Sequence, residues 1–131
     1  MPASLFGFAF FAILFLQSGL DKAFNFESNL NWFRTHFSGS IFSPFARTML
    51  VLLMIFELSS GLLSLYAFYP LCLEDGASVF LKASMLFNGL TLLMLFVGQR
   101  IAGDYSGAAV IAAYFAVFLL HMLLISDVLS L

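Results

Sequence analysis

The chain reads FARTMLVLLMIFELSSGLLSLYAFY from Phe45 to Tyr69, an apolar run that Pro70 ends. About 20 helical residues cross the hydrocarbon core of a bilayer, so this run is long enough to span it. The run carries one acidic residue, Glu57, near its middle, and it lacks the alternation of a barrel strand. It therefore predicts a transmembrane helix with a carboxyl group inside the membrane.

The rest of the chain has the same character. Of its 131 residues, 63% are hydrophobic and 9% are charged, whereas soluble domains have about 45–50% and about 25%. We therefore predict an all-α membrane protein, a single four-helix transmembrane bundle with the lipid bilayer as its surroundings. The first span is expected to be retained, because no basic segment precedes it. The predicted spans are residues 3–20, 45–69, 77–98 and 107–126.

Charge and cysteine content exclude several functions. The net charge is −2, whereas nucleic-acid binding requires clustered Lys and Arg, so we expect no nucleic-acid partner. Cys72 is the single cysteine, which excludes an internal disulfide and a cysteine-built metal centre. Because no other metal-ligand pattern is present, we predict no metal site.

A short helix is expected between the first two spans, at about residues 27–38. Leu30, Phe33 and Phe37 fall on one helical face there, and Trp32 is a residue type enriched at the membrane–water interface. We interpret the segment as an interfacial helix anchored by Trp32, Phe33 and Phe37. A lid over a cavity that opens to this side is the alternative.

The basic residues predict an orientation. Lys22, Arg34, Arg47 and Arg100 lie near span ends on one side, and Lys82 is the basic residue nearest the other side. The positive-inside rule then places both termini outside the cytoplasm. We expect a bacterial inner membrane as the location.

Polar residues inside spans usually face the bundle interior or a cavity. At about 1.5 Å rise per residue, three of them, Glu57, Asn88 and His121, come to similar depths near the membrane midplane. We predict an intramembrane polar cluster in which a neutral Glu57 is hydrogen-bonded to His121 or Asn88. The full set of predicted members is Glu57, Asn88, His121, Gln17 and Tyr114. The cluster is either a polar clamp that holds helices in register or a site for a proton or a quinone carbonyl; the catalytic residues stay unknown.

Small and polar residues form one stripe on each span, and these stripes are expected to face inward. The stripes comprise Gly7, Leu14, Gln17, Ser18 and Asp21 in the first span; Glu57, Ser60, Gly61 and Ser64 in the second; Ser84, Asn88 and Thr91 in the third; and Gly107, Tyr114 and His121 in the fourth.

Three segments resemble DoxX-like membrane proteins, a family of small four-helix proteins. They are QSGLDKAFNF at 17–26, FELSSGLL at 56–63 and GDYSGAA at 103–109. Ser60 stands where that family commonly has Gly. The resemblance implies a link to quinones, since some members are associated with thiosulfate:quinone oxidoreduction and others with membrane redox homeostasis.

Two functions follow as hypotheses. The first is an accessory or scaffold subunit of a larger membrane assembly, with other membrane subunits or further copies of this chain as partners. The alternative is a quinone-linked redox subunit with a midplane site at Glu57, Asn88 and His121. No cofactor other than quinone is suggested, and the sequence favours a non-catalytic role for the isolated chain.

Overall fold

A computed structural model describes residues 3–69 and 78–129. The described residues are mostly helical and contain no strand. They include the helices α1 (Ser4–Phe24), α2 (Phe26–His36), α3 (Ala46–Tyr66), α4 (Ser78–Ala102) and α5 (Tyr105–Leu129), and a 3₁₀ turn at Ser43–Phe45 leads into α3. Pro70 and Cys72 lie outside the described residues.

Four of these helices are long and apolar enough to cross a membrane, which supports the predicted integral membrane protein. The candidate spans are Ser4–Phe24, Ser43–Tyr66, Val79–Ala102 and Tyr105–Ser126. The short helix predicted between the first two spans is also present, as α2. The first helix runs four residues beyond the predicted span, and this extension takes Lys22 into α1.

Close packing of α1 against α3 depends on two glycines. A Cβ atom on Gly61 would lie 2.6 Å from Leu16 Cγ and 2.8 Å from the backbone nitrogen of Leu16, and one on Gly19 would lie 2.8 Å from Leu58 Cδ2. Small residues let helix backbones approach closely in membranes. Gly19 and Gly61 therefore set the distance between the two helices.

The predicted inward stripes are confirmed on α3 and α4. The stripe residues Glu57, Ser60, Gly61, Ser64, Ser84, Asn88 and Thr91 are all buried. The α1 stripe is only partly correct, because Gln17 and Asp21 are exposed whereas Lys22 is buried. The inward face of α1 is built from Phe8, Phe11 and Phe15, which join Leu92 and Phe118 in the main apolar core.

The short helix α2 packs on α3 rather than lying free. Leu30, Phe33 and Phe37 are buried in one apolar cluster with Ala46 and Leu50 of α3. Phe33 and Phe37 therefore pack inside the protein, and their prediction as interfacial anchors is wrong. Trp32 is 53% exposed, and its position at the membrane–water interface stays a prediction.

Candidate functional site: a cavity beneath helix α2

A cavity of about 570 Å³ lies beneath α2, at the end of the bundle where α1 ends and α3 begins. This volume is within the range of small-molecule pockets, about 300–1,000 Å³. Most of its lining residues are apolar, and those of α3 and α4 include Met49, Leu53, Met94 and Leu95. The cavity can therefore hold a small, mostly apolar molecule.

The cavity is flanked by residues on the outer surface of the bundle. Leu52 of α3 and Leu90, Leu93 and Val97 of α4 line it, and each of them is between 41% and 48% exposed. Surfaces of this kind on a transmembrane helix face lipid. The wall of the cavity therefore extends to the surface of the bundle that faces lipid.

An ion pair lies in the wall of the cavity. Lys22 Nζ of α1 is 2.9 Å from Glu57 Oε2 of α3, and the two residues are 8% and 1% exposed. Ser18 joins them, since its hydroxyl donates to Glu57 Oε1 at 2.9 Å and accepts from Lys22 Nζ at 2.8 Å. All three residues line the cavity. We call Ser18, Lys22 and Glu57 the ion-pair site.

Burial alone would make either charge costly, and their pairing offsets part of that cost. An isolated charge deep in a protein or membrane is strongly unfavourable, whereas a hydrogen-bonded pair of opposite charges is tolerated. The Lys22 ammonium is the polar neighbour of Glu57 Oε2, which makes no hydrogen bond within the described residues. As an ion pair, Lys22 and Glu57 together carry no net charge.

Helix α2 covers the cavity as a lid. Trp32, Phe33, His36 and Phe37 all line it from above. The rings of Trp32 and His36 are stacked, with centroids 4.2 Å apart and planes inclined by 17°. His36 Nε2 lies 2.6 Å from Gln99 Oε1 of α4, a hydrogen bond that fastens the end of α2 across the cavity.

The turn between α4 and α5 positions Gln99. Gly103, at φ 76°, ends α4 in a Schellman motif, in which the Asp104 N–H donates to the Gln99 carbonyl at 2.9 Å. Asp104 then begins α5, because its Oδ1 accepts from the Gly107 N–H at 2.9 Å. That hydrogen bond, together with one from the Ser106 hydroxyl, lowers the pKa of the Asp104 carboxyl.

A second polar group lies between α3 and α4, and none of its members lines the cavity. Asn88 Nδ2 donates to the Ser64 hydroxyl at 3.0 Å, and Ser64 lies 3.1 Å from the Ser84 hydroxyl. Ser60 and Thr91 share a further hydrogen bond of 2.7 Å. These five residues, Ser60, Ser64, Ser84, Asn88 and Thr91, are all fully buried, and we call them the hydroxyl–amide network.

His121 occupies a third place, near the start of α1. Its Nε2 donates to the Ser4 carbonyl at 3.0 Å, and its ring lies over Gly7, where a Cβ atom would come within 2.2 Å. Phe8 packs edge-on against the ring at 4.5 Å. These contacts make His121 a link between α1 and α5.

The predicted single cluster is therefore wrong in its pairings. Glu57 bonds to Ser18 and Lys22, Asn88 bonds to Ser64, and His121 bonds to Ser4. Gln17 is exposed at the helix surface. Tyr114 is the one further predicted member that lies at the cavity, where it lines the wall with Glu57.

Lys22 is the site residue that the sequence reasoning misses, because the predicted first span ends at residue 20. One signal was available: Phe15, Ser18 and Lys22 are spaced at i, i+3 and i+7, the spacing of one helical face. That spacing favours a helix that continues past Leu20. In the structure, the continued helix places Lys22 next to Glu57.

The described residues contain no group of three or more His, Cys, Asp or Glu placed to bind a metal ion. Comparison of the chain with protein-family profiles, characterised proteins and solved structures finds no match. The resemblance to DoxX-like proteins therefore rests on the three short segments alone.

Proposed function

We propose that this integral membrane protein binds an apolar, membrane-borne small molecule in the cavity beneath α2. The observation that carries the proposal is the position of the ion-pair site in the wall of an otherwise apolar cavity. Ligand pockets combine mostly apolar walls with a few polar groups that fix orientation. Lys22 supplies such a group, because an ammonium can donate to an oxygen atom of the ligand.

The lid and the lateral exposure of the walls support the same function. Leu52, Leu90 and Leu93 offer a path from the bilayer, and α2 closes the cavity toward the end of the bundle. A ligand that enters from lipid stays out of water throughout. The protein would thus hold a lipid-soluble compound at a defined place and orientation.

A quinone is one member of this ligand class, since its carbonyl oxygen can accept from Lys22. The midplane quinone site first predicted, at Glu57, Asn88 and His121, is replaced by the cavity, which Asn88 and His121 do not line. A redox role needs an electron donor, which a partner subunit would supply. The accessory or scaffold role and the bacterial inner-membrane location stay predictions, and ligand binding is one way in which an accessory subunit could act.

The test is to fill the cavity and measure bound ligand. Met94 lines the cavity, so Met94→Trp should reduce the amount of compound that copurifies with the protein in polymer-bounded lipid particles. Leu120→Trp is the matched control, because Leu120 is 62% exposed and does not line the cavity. Mass spectrometry of the extracted lipid fraction measures the difference, and circular dichroism verifies that both variants are folded.

Equal retention of every copurified compound by Met94→Trp and Leu120→Trp would overturn the proposal. The same preparations test the accessory role, since a stoichiometric protein partner would copurify with both variants. A quinone among the compounds lost from Met94→Trp alone would favour the quinone-linked function.

A further inference from the structure

We infer that the ligand of this cavity has an uncharged polar head, with an oxygen acceptor, on one apolar chain. The inference rests on the proposed function and adds the chemical class of the ligand. It follows from two properties of the cavity, the charge of its wall and its size.

The charge of the wall selects against ionised heads. Lys22 and Glu57 lie 2.9 Å apart and cancel each other, so the wall offers a strong local dipole but no net charge. An anionic head attracted by Lys22 would be repelled by Glu57. A cationic head attracted by Glu57 would be repelled by Lys22. Neither head would recover the large cost of leaving water or the lipid headgroup layer.

A neutral oxygen avoids this conflict. Lys22 is the more accessible of the two charges, and its ammonium carries three N–H donors. One donates to Ser18 and one lies toward Glu57, so one is left for a ligand oxygen. A hydroxyl, carbonyl or ester oxygen can accept from this donor without adding charge to the site.

The size of the cavity selects one chain. The volume of about 570 Å³ lies in the range of pockets that hold one drug-sized molecule. One long hydrocarbon or isoprenoid chain with its head is a molecule of that size, whereas a phospholipid with two acyl chains and a phosphate-bearing head is larger.

The experiment uses three probes with the same chain and different heads: oleyl alcohol, oleyl sulfate and oleylamine. The full chain is placed in lipid nanodiscs with equal mole fractions of each probe. Native mass spectrometry measures the bound fraction. We expect oleyl alcohol to bind about tenfold more tightly than either charged probe.

Variants of the ion-pair site should change which of the three probes binds most tightly. Glu57→Gln leaves Lys22 as an unopposed cation and should favour oleyl sulfate, whereas Lys22→Gln leaves Glu57 unopposed and should favour oleylamine. The double variant Lys22→Gln with Glu57→Gln restores a neutral wall and should again prefer oleyl alcohol. It is also the control for folding, since it buries no unpaired charge.

The outcomes separate the two proposals. If no probe binds the native chain, the proposed function itself fails. If oleyl sulfate or oleylamine binds as tightly as oleyl alcohol, the cavity binds ligands but the inferred neutral head is wrong. If either single variant does not fold, the ranking of the three probes on the native chain and on the double variant still decides the inference.

Discussion

The ion-pair site and the hydroxyl–amide network begin one helical turn apart on α3, at Glu57 and Ser60, yet they differ in chemistry and surroundings. The network joins α3 to α4 through neutral groups that satisfy one another, away from the cavity. The ion-pair site joins α3 to α1 through opposite charges and lines the cavity. Glu57 is as deeply buried as the network residues, so burial of a polar side chain does not distinguish a structural group from a candidate binding site. The adjacent cavity does.

The two regions should differ most when one member is removed. Glu57→Leu leaves the Lys22 ammonium buried without its partner, which should lower the free energy of unfolding by about 3–5 kcal/mol. Adding Lys22→Met to Glu57→Leu should recover most of this loss, because the unpaired charge is then gone. Titration with a denaturing detergent measures both variants. A double variant no more stable than Glu57→Leu would show that the ion pair is not the source of the loss.

In the network, a single removal should cost less. Asn88→Leu removes the hydrogen bonds to Ser64 but leaves no charge unpaired, so it should lower the free energy of unfolding by about 1–2 kcal/mol. Retention of the cavity ligand should not change, since Asn88 does not line the cavity. The comparison fails if Asn88→Leu loses the ligand while the protein remains folded.

The contact that holds α2 over the cavity should control the rate at which the ligand exchanges. Gln99→Leu removes the hydrogen bond that joins α4 to His36 of α2, a bond worth about 0.5–1.5 kcal/mol. Ligand exchange should therefore become about two- to tenfold faster. Stopped-flow fluorescence of Trp32, the single tryptophan, can follow the exchange. Thr35→Ala, on the exposed face of α2, is the control and should leave the rate unchanged.

The smallest effect on stability is expected at Asp104, in the turn between α4 and α5. Its pKa is lowered in the folded protein, so the carboxylate stabilises the fold above the unfolded-state pKa, about 3.9. That stabilisation disappears as the pH falls through the folded-state pKa. Asp104→Asn still begins α5 but cannot ionise, so native and variant melting temperatures should differ near neutral pH and converge below about pH 4. A difference in melting temperature that does not change with pH would contradict the role of the Asp104 charge.

Much of the architecture follows from the sequence. The count of four spans, the short helix after the first span and the buried stripes of α3 and α4 depend on hydrophobic length and helical period, which are properties of one segment at a time. Gly61 belongs to this group as well, because a small residue in a polar stripe indicates a helix contact.

The partners of the polar residues were decided by the tertiary structure. Depth arithmetic placed Glu57, Asn88 and His121 at similar levels, but depth does not give the rotation of one helix relative to another. Glu57 faces α1 and bonds to Lys22, Asn88 bonds to α3 through Ser64, and His121 bonds to Ser4 at the start of α1. The cavity likewise depends on tertiary packing, because residues from all of the helices α1 to α5 line it. Periodicity within a helix reports which side is buried, whereas the neighbour on that side depends on how all the helices pack together.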